Sequence, residues 1–177
     1  DPSVWEKLMY EVISNVIFKL GKNRLKIKYI TVTTSASCLV VLDKKKIPLR
    51  KCILVSDTRS IKEVEFIKNL DEFKNVSLDT GMKCSSDLML PKILWLKNNE
   101  TNTFEKAHHF LNVSDYLNLI LTGNCISDKN NLLKFYFSLK NNNYPISLLD
   151  KLGIDVKKFP NPEKVGADIG YIRKSIS

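Results

Sequence analysis

Side chains able to do chemistry are sparse in this chain of 177 residues, and their spacing narrows what they can do. The only histidines are His108 and His109. Neighbours on a strand face opposite sides of a sheet, which argues against a shared metal ion. Cys38, Cys52, Cys84 and Cys125 are widely separated and form no CxxC pair, so neither a zinc site nor a thioredoxin-type site is indicated. Cys38 and Cys52 lie in apolar runs and read as buried free thiols. The six glycines build neither GxGxxG nor GxxxxGK[ST], the two most legible nucleotide loops. What remains is Thr33-Thr34-Ser35-Ala36-Ser37, a run of small side chains between two strand-like segments, with room beside it for another molecule.

The charge balance adds little. Lys and Arg number 28 against 19 Asp and Glu, a net charge of +9, but 24 of the cations are Lys and only four are Arg. Arg is the side chain suited to bidentate phosphate and base recognition. A scattered Lys excess in an Asn-rich chain therefore reads as general solvation and argues against a nucleic-acid partner. No apolar run approaches the roughly 18 to 20 residues of a membrane helix. The start, Asp1 to Glu6, has no signal-peptide pattern. With four unpatterned cysteines, these features point to a reducing, cytoplasmic compartment and no membrane partner.

The elements that must position the small-residue run follow from periodicity. Trp5, Leu8, Met9, Val12, Ile13, Val16, Ile17 and Leu20 recur at helical spacing, with Ser3 and Glu6 as a capping box and Gly21 as the C-terminal stop. Three short strands are expected next, at 29–33, 38–42 and 52–55, with a Lys-rich turn at 43–46. They should form one sheet against the first helix. Helices are expected at 60–70, 88–97, 103–107, from a cap at Ser114 or Asp115 to Gly123, and at 147–152. A polar loop is expected from 71 to 83. Residues 110–113 read as a strand, and 132–139 as ambiguous. Trp5 and Trp95 sit on apolar helix faces and read as core. The fold class is α/β, and the chain reads as one domain, 1–177.

Several segments, taken in order, resemble the FGGY carbohydrate kinases. Residues 110–123 are similar to the family's "D-Y-L-x-x-x-L-T-G" helix, and 90–97 to its "P-K-x-L-W-L-K" helix. Residues 127–131 resemble "T-D-x-x-N", 147–154 resemble "L-L-x-x-L-G-I", and 165–170 resemble "P-G-x-x-I-G". Upstream, 30–43 looks like the substrate-loop hairpin and 52–59 like the "I-L-W-x-D-x-R" strand end. The resemblance is colinear over nearly the whole chain. Within the family it leans to the ribulose and xylulose kinase-like branch.

This resemblance implies a partial ribonuclease-H-like (actin-like ATPase) domain without its first phosphate-binding hairpins. It implies an intact parent that uses ATP and Mg²⁺ to phosphorylate a pentulose such as D-ribulose or D-xylulose. Thr34, Ser35, Ala36 and Ser37 fall on the loop that contacts the sugar hydroxyls. Two positions depart from the pattern. Ala36 stands where the ribulose kinase branch carries a serine, and Val55 stands at the tryptophan of "W-x-D-x-R". Asp57 and Arg59 read as a local pair, and Asp115 and Asp128 as capping acids. No segment matches the family's "D-x-G-T" phosphate turn or its "G-D" general base, so this chain alone is expected to be inactive, with no catalytic residue. An uncovered sheet edge predicts a homo-oligomer. A non-catalytic sugar- or protein-binding descendant stays open as the alternative, and a basic nucleic-acid module as a third.

Overall fold

The computed structural model describes residues 1–174. Helix α1 spans Pro2–Leu20, capped by Asp1, whose Oδ1 accepts from the Ser3 amide at 3.0 Å. Pro2 occupies the first helical position, where an amide is not needed. The expected Ser3–Glu6 capping box is thus replaced. Glu6 instead accepts from the hydroxyls of Tyr10 and Tyr116, the latter at 2.9 Å, and so ties α1 to the helix that carries Tyr116. Gly21 ends α1 with a positive φ, and a 3₁₀ turn follows over Gly21–Lys26.

Strand β1 is Val40–Leu42, buried on both faces as its continuous apolar run requires. It turns back through Asp43, whose Oδ1 accepts from the amides of Lys45 and Ile47, confirming the turn over the Lys run. The return limb bridges Leu39 to Ile53 and Leu42 to Pro48. On its other side β1 pairs antiparallel with β2, His109–Leu111, placing Val41 opposite Phe110. The segment 29–33 is not a strand, which corrects the three-stranded expectation. Strand geometry needs a partner for alternate amides and carbonyls. Among the described residues none of the backbone groups of 28–34 bonds to another backbone group.

Helix α2 is Ile61–Lys68 and α3 is Asp71–Thr80. The second of these replaces the polar loop expected there. It buries only Phe73 and Val76, too few for a visible stripe, but Asp71 and Glu72 open it and left-handed Gly81 closes it. Helix α4, Met89–Asn99, is the centre of the larger core, and α5, Thr101–Lys106, folds back on it. Helix α6, Val113–Thr122, is capped not by Ser114 or Asp115 but by Asn112, in a capping box with Asp115, and stops at left-handed Gly123. Strand β3, Ile126–Asp128, leads directly into the short helix α7, Lys129–Leu132, which Asp128 caps. The ambiguous stretch after it is neither helix nor strand throughout. Tyr136 adopts a left-handed conformation, and Phe135, Tyr136 and Phe137 all point into the core. Helix α8 is Ile146–Leu152, and β4, Asn161–Glu163, pairs parallel with β3.

The core is in two parts. The larger gathers α2, α3, α4, α8 and the aromatic run, and the smaller packs β1, β2 and α6 against Trp5 and Met9 of α1. The rest of the α1 stripe is open: Leu8 and Val12 keep 49% and 60% of their surface. The expectation that a sheet would pack on this helix therefore holds at Trp5 and Met9 and is corrected for the rest of the stripe, because the segment 29–33 stays unpaired.

Candidate functional site

The small-residue run lies at the rim of a groove of about 680 Å³ between α1, the unpaired segment and the start of α6. Apolar side chains such as Leu8, Val12, Ile30 and Leu117 line most of it, and Thr31, Thr33, Thr34, Ser35 and Ser56 supply its hydroxyls. Thr34 is half-buried, and among the described residues its Oγ1 reaches only the Ser35 carbonyl, at 3.4 Å. Ser35 is exposed and Ala36 half-buried. Ser37 is different: it is buried, and its hydroxyl has no hydrogen-bond partner among the described residues. The four site residues thus separate into an accessible part, Thr34 to Ala36, and an anchor, Ser37.

The anchor is held from two sides. Its amide donates to Asn112 Oδ1 at 3.1 Å, and its carbonyl accepts from Lys92 Nζ at 2.6 Å. Asn112 is in turn fixed by its amide, which donates to Asp115 Oδ2 at 3.0 Å. Ser37 has φ of 60°, a left-handed conformation that non-glycine residues rarely take. Lys92 is fully buried on α4, and burial pushes its pKa down. Sequence reasoning missed this lysine, although a cation in the otherwise apolar run from Met89 to Leu96 was the available signal.

The family profile described as the N-terminal domain of FGGY carbohydrate kinases matches residues 1–177. The chain belongs to the FGGY family of carbohydrate kinases. A xylulose kinase from Staphylococcus xylosus is 31% identical over 161 residues, covering 88% of this chain and 32% of that protein. A xylulose kinase from Lactococcus lactis subsp. lactis is 24% identical over 99% of this chain and 35% of its own length. The chain therefore spans about a third of the length of the curated relatives it matches. Among solved structures, a xyloylose kinase from Brucella ovis superposes with a TM-score of 0.91 at 27% identity, covering 99% of this chain and 36% of that one. The fold is accordingly that of the actin-like ATPases, with this FGGY chain forming part of the N-terminal domain.

The expected local pair of Asp57 and Arg59 is present in this FGGY chain. Arg59 grips Asp57 through two bonds, Nε to Oδ1 at 2.9 Å and Nη2 to Oδ2 at 2.8 Å, and these hold the Asp57 carboxyl below the usual range. The Arg59 guanidinium also lies 4.7 Å from the Trp95 ring centre, with Arg50 near the same ring and paired to Glu100. Trp95 is thus half-buried, packing against the larger core as expected on one side and under guanidinium groups on the other. The His108 and His109 rings meet edge to face at 4.8 Å, against the expectation that they part, because His108 precedes the strand. His109 Nδ1 is 3.6 Å from Cys125 Sγ, whose thiol burial pushes up to about 11. Among the described residues no three His, Cys, Asp or Glu side chains come together to hold a metal ion.

Proposed function

We propose that this chain is the sugar-binding side of an ATP-dependent kinase that transfers a γ-phosphate to a pentulose, with D-xylulose and D-ribulose as the first substrates to test. The observation that carries the reading is the pinned run Thr34–Ser37, which sits where the FGGY resemblance puts the sugar loop and leaves Thr34 and Ser35 accessible. The xylulose kinases among the relatives support the substrate class. Thr34 and Ser35 offer hydroxyls that both donate and accept, which suits a polyol. Ala36 offers only backbone groups and a methyl. ATP and the metal would bind elsewhere in the intact protein. Phosphoryl transfer depends on positioning and electrostatic stabilisation. This chain's contribution is to orient the acceptor, in a cytoplasmic enzyme.

The assay is sugar-dependent ADP release by the full-length protein, by this chain alone and by the full-length Ala36→Ser variant. The full-length protein should turn over a pentulose and this chain alone should not. The serine should lower KM by up to about tenfold, the worth of one regained hydrogen bond. Ala36 and Val55, where the family pattern has a hydroxyl and a tryptophan, favour a second reading, a non-catalytic sugar-binding module. Indifference of the full-length protein to every pentulose, with Ala36→Ser silent, would select it.

A further inference from the structure

Lys92 has no carboxylate within 4.0 Å among the described residues, although it is fully buried. Its Nζ donates instead to two carbonyls, Ser37 at 2.6 Å and Asp87 at 3.3 Å. A buried ammonium without a counter-ion is costly, and its retention points to work done by its bonds. The residue it grips is the one that closes the small-residue run, and that residue is backbone-strained and bonded on its other side to Asn112. Helix α4 and the cap of α6, remote in sequence, thus hold one residue between them, the first at its carbonyl and the second at its amide. We propose that Lys92 is a positioning residue which, with Asn112, clamps Ser37 in its left-handed conformation and thereby fixes the direction in which Thr34, Ser35 and Ala36 face the substrate. The inference rests on the sugar-loop reading above.

The alternative is that Lys92 only fills space in the core. The two are separated in the full-length protein by Lys92→Met, which keeps the aliphatic stem and removes the donors. Two readouts are needed. Backbone amide exchange across 34–38 should rise at least tenfold, since a loop without its clamp opens locally. The sugar KM should rise about tenfold with kcat changed less than threefold, the pattern of lost uniform binding. Adding Ser37→Gly should return part of the KM effect, because glycine takes a positive φ without steric cost, while exchange stays raised because glycine does not stiffen the loop. A space-filling lysine predicts no such rescue. Should the methionine variant fail to fold, Lys92→Gln, which keeps one donor on a shorter arm, should give the same two effects at smaller size. Unchanged exchange in a folded variant would overturn the clamp. Raised exchange with the sugar KM unmoved would leave the clamp standing as architecture and overturn its role in positioning, while the sugar-loop reading stands or falls separately with Ala36→Ser.

Discussion

Asp115 gives the sharpest test of the packing around the loop. Its carboxyl is 1% exposed, accepts from the Asn112 amide, and is pushed by burial up to about 7. In the unfolded chain an aspartate titrates near 3.9. The folded value is the higher one, so the folded state binds the proton more tightly. Its contribution is fully present below about pH 4 and is lost as the pH rises towards 7. Three pH units at 1.36 kcal/mol each amount to about 4 kcal/mol. Asp115→Asn keeps the shape and an acceptor but cannot ionise. Other titrating groups are common to both proteins and cancel in the difference. The stability of the variant relative to the parent should therefore climb by about 4 kcal/mol between pH 4 and 7. For a domain of this size that is roughly 8 to 16 °C in Tm. Urea unfolding followed by circular dichroism at half-unit pH steps would measure it. Parallel profiles for the two proteins would refute the argument and show that the helix terminus and the Asn112 amide stabilise the carboxylate as much as burial destabilises it.

Two further outcomes follow from the same geometry. Gly81 has φ of 69° in open space, whereas at Gly153, with φ of 61°, a Cβ would collide with Lys97 Nζ, which donates to the Leu152 carbonyl at 2.6 Å. Gly81→Ala should then cost about 1 kcal/mol for the left-handed backbone, and Gly153→Ala about 2 to 3 kcal/mol because it also displaces a bond to a charged donor; equal costs in denaturant titrations would contradict the Lys97 contact. This chain alone exposes the unpaired segment 28–34 beside Leu8 and Val12, so it should self-associate in sedimentation at micromolar concentration. The pair Val12→Glu and Ile30→Glu, both at exposed positions, should restore a monomer with Tm unchanged, and a parent monomeric at all concentrations would count against the edge argument.

What could be read from the residues tracks the range of the forces involved. Helices α1, α4, α6 and α8 were legible because periodicity and caps are local: Gly123 closes α6 through one amide bond to Leu119. Helix α3 escaped because two buried residues make no stripe. The segment 29–33 has the β-branched composition of a strand, yet composition states only a preference, and pairing needs a second strand at the right place. The hairpin around Asp43 was legible for the converse reason, since both limbs and the turn lie within about fifteen residues.

The loop itself divides in the same way. Its small side chains, and the family pattern they belong to, are visible in the residues. Its shape is not, because it is set by Lys92, 55 positions away, and by Asn112, 75 positions away. That separation has a chemical consequence. Thr34 and Ser35, which line the groove, and the half-buried Ala36 beside them carry none of the bonds that hold the loop, while Ser37, which carries them, is buried away from the groove. Substitution at 35 or 36 can therefore change which hydroxyls are offered to a ligand without loosening the frame. On the proposed sugar-loop reading, the alanine at 36 is then a change in recognition chemistry on an intact scaffold. For the same reason Ala36→Ser tests the substrate and Lys92→Met tests the frame, and neither experiment can stand in for the other.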